Sequence, residues 1–542
     1  MRLNPDRNWK KTLSWCIGLF VFGLMFGWVL FPALLKKGIK SQTALKPNSR
    51  IRGMWTNIPF PLDFRIYLFN VTNPDDVMQG RKPKVQEVGP YFFQEKKYKI
   101  NMMDHEEDDT VSFNAVDAFF FDPSKSGGLT GNEIIMFPHV FLIAMAVSVA
   151  RDKAPMLPMV KEAINAMFHE PKSIFFPVRV MDILFDGVGI DCSSDTFAAT
   201  AVCTALETEP SIDKYNDTTF LFSLFGSKNA TPTKTFTVYR GIKNIHDLGR
   251  VVKYDGEEEM DLYDDENCNQ YKGTEGTIFP PFMTKDQGVW AYTPDICRSM
   301  PATYERPSSY AGIKTSRFSL SFGDHKKDES LHCYCRDPPD GCPPYGVVDF
   351  SLCLNGAPIL GSMPHFFDTD PAVQQKVIGL SPDPDKHKIF LEFELFSGSP
   401  LAAAKRMQFN LQIMPIPEIE FMSRLDEYLH PMFWVEESVY LNKTFTNQVK
   451  YGLMLVQKIN WLIRWTCVLI GIFGGGTAGY MLNKANNTPT TAVTPVESAD
   501  EKNGKLATNS LNMPPVENPL GGLKNYHKNL TVSTIDNQVE RY

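Results

Sequence analysis

TLSWCIGLFVFGLMFGWVLFPALL, residues 12–35, carries no charged side chain, and neither does WTCVLIGIFGGGTAGYMLN, residues 465–483. Roughly 20 apolar residues wound as a helix cross a hydrocarbon core of about 30 Å. The chain therefore reads as a membrane protein with two spans. The first is read as an uncleaved anchor, because it is longer than the apolar region of a signal peptide and has no small-residue cleavage site before Lys36. The spans divide the 542 residues into an N-terminal segment, 1–11, a first helix, 12–35, a large loop, 36–460, a second helix, 461–483, and a tail, 484–542. Gly23 and Gly27 in the first helix, and Gly471, Gly475 and Gly479 in the second, offer small faces on which the two are expected to pack.

The side occupied by the loop follows from its cysteines. Flanking charge alone would keep it inside, since Arg2, Arg7, Lys10 and Lys11 precede the first span while Lys36, Lys37, Lys40, Lys46, Arg50 and Arg52 follow it. That rule weakens for loops beyond about 60 residues. Eight of the 10 cysteines (Cys192, Cys203, Cys268, Cys297, Cys333, Cys335, Cys342 and Cys353) lie in the loop, an even number suited to an oxidising compartment. Sequons at Asn70, Asn216, Asn229 and Asn442 point the same way, although Asn486 and Asn529 in the tail also match. The loop is placed outside the cell and both termini in the cytoplasm.

A net charge of −7 offers no basic surface for nucleic acid. Strand patterning dominates the loop: Met407, Phe409, Leu411 and Ile413 alternate with Gln408, Asn410 and Gln412, Ile389 to Leu395 nearly so with Lys388, Glu392 and Glu394, and Phe318, Leu320 and Phe322 with serines. These predict half-buried antiparallel strands with the polar residues outward. Helical spacing appears at Leu157, Val160, Ile164, Met167 and Phe168, and the uncharged run 140–150 is too short to span, so it is either a buried or an exposed apolar helix. With no repeat or dividing linker, the loop is one large α+β domain. The tail lacks Phe and Trp and is expected to be disordered.

Signatures of catalysis are missing. Ser397-Gly398-Ser399 lacks the glycines of a nucleophile elbow, Asp109 stands where a zincin would need its second histidine after His105, and Cys192 interrupts the glycine fingerprint begun by Gly187 and Gly189. The acidic run 104–109 reads as a solvated loop, and His365 as a hydrogen-bonded structural histidine. No catalytic residue, metal or cofactor is expected.

The six cysteines from Cys268 to Cys353 stand among GTEGTIFPPF (273–282), PDICRSM (294–300), YGVVDFSLC (345–353), SMPHF (362–366) and AAKRMQFNL (403–411), with NPDDVM (73–78) and EVGPY (87–91) upstream. On these blocks the chain resembles the class B scavenger receptor family of two-span lipid receptors. DHEEDDT (104–110), VARDKAPML (149–157), MDILF (181–185) and MFWVEE (432–437) look most like its insect sensory neuron branch, the membrane proteins of the first type. The resemblance implies a β-rich extracellular domain with a helical bundle at its membrane-distal apex, and a hydrophobic tunnel from there towards the bilayer. It also implies pairing of Cys268 with Cys333, Cys297 with Cys353 and Cys335 with Cys342, which leaves Cys192 and Cys203 either to pair or to stay free.

The function so implied is a co-receptor on the dendrite or cilium of a sensory neuron, capturing fatty-derived pheromones at the apex and passing them to the membrane and an odorant receptor complex. A soluble pheromone carrier protein is a further partner. The expected lipid entrance comprises Ile164, Lys172, Phe175 and Phe176. Lys172 falls at the family's apex lysine, whereas Glu170 replaces a second one, which favours uncharged esters, alcohols or aldehydes over fatty-acid anions. The alternative is a receptor that docks proteins or lipid particles on its apex, without a transfer tunnel. An ectoenzyme is the third class, and hydrolysis of a fatty ester would reveal it.

Overall fold

The computed structural model describes residues 5–209 and 211–487, so most of the tail and Asn529 lie outside the described residues. Two compact units are distinguished, 1–480 and 481–542; of the second, only the end of a helix, 481–487, is described. Among the described residues there are eighteen strands, numbered in chain order. β1 is Leu62–Val71, β2 Val85–His105, β3 Thr110–Phe121, β4 Ile134–Pro138, β5 Phe175–Arg179, β6 Val188–Asp191, β7 Ile212–Asn216, β8 Thr219–Phe222 and β9 Pro232–Tyr239. β10 is Val251–Tyr254, β11 Val289–Thr293, β12 Arg298–Tyr310, β13 Ile313–Ser319, β14 Val347–Asp349, β15 Ile359–Ser362, β16 Phe390–Glu394, β17 Ser399–Ile413 and β18 Tyr428–Tyr440.

One sheet dominates, in the order β10-β9-β3-β2-β1-β18-β17-β16-β13-β12-β11, with β15 branching from β17 and β14 from β15. Its strands pair antiparallel throughout the described residues. Residues 273–274 join its two ends. Val251 N donates to Gly273 O at 3.0 Å, Thr274 N to Trp290 O at 3.0 Å and Tyr292 N to Thr274 O at 2.9 Å. The two ends of the sheet are thereby bridged through one short segment, which occupies part of the outer edges of β10 and β11. Only glycine fits the bridge, because Gly273 has φ +83° and a Cβ there would run into the Trp290 carbonyl.

Three helices form a separate cluster: α1, Val140–Asp152, α2, Leu157–Met167, and α3, Phe197–Leu206. Pro158 opens α2 at a position that needs no amide hydrogen, and Thr196 caps α3 by accepting from Ala199 N. The apolar run is a buried helix: Val140, Leu142, Ile143, Ala146 and Val147 lie in the core. In α2 the spaced Leu157, Val160, Ile164 and Met167 are buried.

The polar faces of two strands depart from expectation. Glu392 is buried, accepting from Ser308 Oγ at 2.9 Å and Thr315 Oγ1 at 3.3 Å and meeting Arg317 at 3.3 Å. Gln408 and Asn410 are fully buried while Met407 and Phe409 are only half so. The cause is the turn that follows β15: β15 pairs beside β17, Ser362 bonds Asn410, and the turn at His365 closes over the predicted solvent face. Gln408 Nε2 donates to Asn410 Oδ1 at 2.7 Å, Asn410 Nδ2 donates to Leu360 O at 3.1 Å, and His365 N donates to Gln408 Oε1 at 2.6 Å. Alternation set the strand, but hydrogen bonds made both faces interior.

The acidic run is not simply solvated either. Asp104 pairs with Arg52 at 2.7 Å and Arg240 at 3.2 Å, and buried Asp109 meets Arg240 at 3.3 Å; Glu106, Glu107 and Asp108 remain exposed.

Helices Asn8–Thr43 and Lys443–Asn487 are long and apolar enough to cross a membrane, and both extend past the uncharged stretches. They pack on their glycines. A Cβ on Gly23 would press on Cys467, one on Gly27 on Arg464 and one on Gly471 on Phe20, whereas Gly479 faces open space. Asn460 Nδ2 reaches Gly27 O at 3.4 Å, where the first helix widens into a π-helical turn over Met25–Leu30. Disulfides join Cys192 to Cys203, Cys268 to Cys333, Cys297 to Cys353 and Cys335 to Cys342.

Candidate functional site

β18 gives the sheet a direction relative to the second candidate span. Its C-terminal residue Tyr440 leads within three residues to the helix that begins at Lys443, and Phe60, ahead of β1, packs on Phe445 with ring centroids 5.1 Å apart. Its other end, Tyr428, is then about 40 Å away at roughly 3.4 Å per residue. Phe175 of β5 meets His430 at that far end, with centroids 5.4 Å apart. The short β4–β5 ribbon and the helices beside it therefore stand over the membrane-distal end of the sheet.

Adjacent side chains on β5 point to opposite faces, and this separates two of the sequence-predicted residues. Phe175 turns inward and is buried. Phe176, half-buried, turns to His139, whose ring lies between Phe176 at 4.6 Å and Phe168 at 4.4 Å. Ile164 is fully buried in the same apolar cluster as Phe175, with Phe176 packed against it, while Lys172 is exposed in the turn between α2 and β5. Three of the four residues thus share one apolar interior, and the lysine stands at its outer surface.

That interior is continuous. It runs from Leu157, Val160 and Ile164 of α2 through Phe137 and Phe175 to Phe64, Ile66 and Leu68 of β1 and Met432, Phe433 and Trp434 of β18. On the burial of apolar area, about 25 cal/mol per Å², such a region presents little to hydrate a polar group. Its few polar members are paired or pushed to their neutral forms. Burial holds His139 down to about 4 and His430 down to about 3, so neither ring carries charge at neutral pH.

Polar networks border this interior beside Trp434 and Glu436. Burial disfavours ionisation of Glu87, but hydrogen bonds from His365 Nε2 at 2.6 Å and Trp434 Nε1 at 2.7 Å outweigh it and hold the carboxyl below its usual range. His365 also accepts Ser381 N at Nδ1, at 3.1 Å, and its ring stacks on His387 at 4.6 Å. Burial, with the neighbouring His365, pushes His387 down to about 4. Glu436 lies opposite both Arg65 and Arg406 across three neighbouring strands and bonds each at 2.7 Å. His139, His430 and Glu87 were not singled out by sequence; a lone histidine in an apolar run gives no spacing signal, and its partners are remote in sequence.

Among the sequons, Asn216 and Asn442 are exposed; Asn70 Oδ1 accepts from Met136 N at 2.8 Å, and Asn229 Oδ1 from Phe119 N at 2.9 Å. Asn442 also caps the helix that follows it. Among the described residues there is no group of three or more His, Cys, Asp or Glu side chains that could hold a metal.

Comparison with known proteins places this geometry. A family model described as the CD36 family matches residues 14–482. Sensory neuron membrane protein 1 of Anopheles gambiae is 44% identical over 524 residues, spanning 94% of this chain and 96% of that protein. The protein of the same name from Aedes aegypti is 47% identical over 461 residues, 85% of each chain. That of Manduca sexta is 45% identical over 461 residues, 84% of this chain and 87% of the other.

Proposed function

The chain belongs to the CD36 family, the class B scavenger receptors, and on that premise we propose that it is a membrane co-receptor of sensory neurons that captures fatty-derived pheromones and hands them towards the bilayer. The relatives' shared name supports the cell type and the membrane. The lipid cargo and its route are supported by one observation: a continuous apolar interior joins the distal helices to β1 and β18, the strands that lead to the two spans.

The physical need is plain. Burying a methylene is worth about 0.8 kcal/mol, so a sixteen-carbon chain crossing open water would lose on the order of 10 kcal/mol. An apolar route lowers that barrier with no covalent step. Entry lies beside Phe176 and exposed Lys172, and the carried molecules are uncharged esters, alcohols or aldehydes. The loop faces outward, the termini lie in the cytoplasm, and an odorant receptor complex takes the ligand; a soluble carrier delivers it. The disulfides and exposed sequons favour this sidedness.

A second reading, docking of a protein or lipid particle on the helical cluster, draws on Phe197, which opens α3 with 80% of its surface exposed, and on Tyr215, 71% exposed. Mass spectrometry of the purified, glycosylated protein with its retained small molecules separates the two. Transfer predicts one long-chain apolar molecule held per protein. Avid binding of a macromolecule with no retained lipid would favour docking.

A further inference from the structure

His430 is wholly buried, and one of its two ring nitrogens has no partner. Nδ1 lies 3.2 Å from the Tyr428 hydroxyl, while Nε2 makes no hydrogen bond with the protein. The Tyr428 hydroxyl has no other side-chain hydrogen bond among the described residues, so donation to Nδ1 is the arrangement that leaves its proton paired. In that arrangement Nε2 carries the ring hydrogen and is a donor facing an apolar surround.

The surround is the interior already described. Phe175 lies tilted against the ring at 5.4 Å, Tyr428 meets it edge-on at 5.7 Å, and Leu411 is its neighbour across the β17–β18 ladder. Buried donors are almost always paired, because leaving one unpaired forfeits the hydrogen bonds it made in water. A leucine at this position would remove the difficulty. An imidazole with one nitrogen fastened and the other left open is arranged to meet an acceptor that arrives from elsewhere.

We propose that His430 Nε2 donates a hydrogen bond to the uncharged oxygen of a long-chain ligand, an ester or aldehyde carbonyl above all, as it lies in the apolar interior beside Phe175. This rests on the transfer function proposed above and names the residue that reads the ligand's head group. The chemistry selects against two neighbours of that ligand. A plain hydrocarbon has no acceptor to offer. A fatty carboxylate would have to be desolvated beside a ring that burial keeps neutral, while Lys172 stays exposed on the surface.

The test uses the full-length protein in a bilayer disc with three probes of one chain length: hexadecyl acetate labelled with ¹³C at its carbonyl, palmitate and hexadecane. Binding is measured by displacement of a fluorescent lipid. Wild type is expected to prefer the acetate to hexadecane on the order of 10-fold, the worth of one hydrogen bond. In His430→Leu the preference should vanish with hexadecane binding retained, and His430→Gln, which keeps a donor, should restore part of it.

Infrared spectroscopy of wild type supplies a readout that no folding defect can obscure. The labelled carbonyl should absorb at lower frequency when bound than in hexadecane solution. An unshifted carbonyl, or an acetate preference that survives in folded His430→Leu, overturns the proposal and assigns Nε2 to a structural water. If wild type binds none of the three probes, the transfer function itself fails and this inference with it; if it binds acetate and hexadecane equally, transfer stands and the inference alone fails.

Discussion

β18 borders two kinds of interior. Tyr428, Met432 and Phe433 join an apolar cluster shared with α1, α2 and β5; Trp434, at that cluster's margin, donates to Glu87, and Glu436 bonds Arg65 and Arg406. The same strand, with the same alternation, thus borders a region that excludes polar groups and one built from them. The contrast teaches that burial alone does not say what an interior is for. A buried ionic cluster whose members are all bonded fixes strand register, whereas an apolar interior with an unpaired donor is poor for stability and suited to a guest.

The largest expected effect breaks the apolar interior. Ile164 is fully buried and Phe175 nearly so. Ile164→Asp and Phe175→Asp should each cost at least about 5 kcal/mol through lost packing and an unpaired polar group, so neither protein should reach the cell surface. Surface labelling against total protein measures this, and normal delivery would show the site to be wet or open.

Next come the polar contacts. Arg406→Met leaves Glu436 half-neutralised and should lower stability by about 3 to 5 kcal/mol. Asn410→Leu removes the short 2.7 Å partner of Gln408 Nε2, leaving it Ser362 Oγ at 3.4 Å, and takes a donor from the Leu360 carbonyl, at about 1 to 3 kcal/mol. Denaturant midpoints rank them, and the double variant Gln408→Leu with Asn410→Leu should cost less than the sum, since the two share one bond.

Acid sharpens the comparison further. The folded pKa of His430, near 3, lies below the unfolded value near 6.5, so as pH falls below about 6.5 the unfolded chain takes up a proton that the folded one refuses. Stability from this ring is intact above that pH and is lost as pH falls, by about 1.4 kcal/mol at pH 5.5. His430→Leu should therefore flatten the decline of melting temperature between pH 7 and pH 5. An equally steep decline would mean that the ring is protonated in the folded state. Smallest of all, Lys172→Ala should change stability by no more than about 0.5 kcal/mol, because the side chain is exposed.

These regions were unequally legible in sequence. The spans, the glycines at Gly23, Gly27 and Gly471, and the apolar stripe of α2 follow from length and spacing, which local physics dictates. Family-like motifs carried the reader further, to the cysteine blocks and the helical cluster. Sequence does not give the burial of Glu392, Gln408 and Asn410, because alternation marks which residues share a face but not what meets it: Ser308, Thr315 and Arg317 meet Glu392, and the turn at His365 closes over Gln408. Bridging of the sheet's two ends by residues 273–274 was hidden for the same reason, since Gly273 reads as an ordinary turn glycine until β10 and β11 are brought beside it. His139 and His430 acquire meaning only from Phe168, Phe176 and Tyr428 around them.

The central claim is that ligand travels through the apolar interior below the helices, and Phe176 is the place to test it. It is half-buried at the outer side of β5, so Phe176→Asp should leave folding intact while placing a carboxylate where an apolar chain must pass. The measurement is delivery of a fluorescent sixteen-carbon ester from solution into the bilayer of vesicles bearing the full-length protein, with surface yield and melting temperature determined alongside. Loss of most delivery in a normally folded Phe176→Asp protein is the result this account predicts; undiminished delivery by that protein would contradict it.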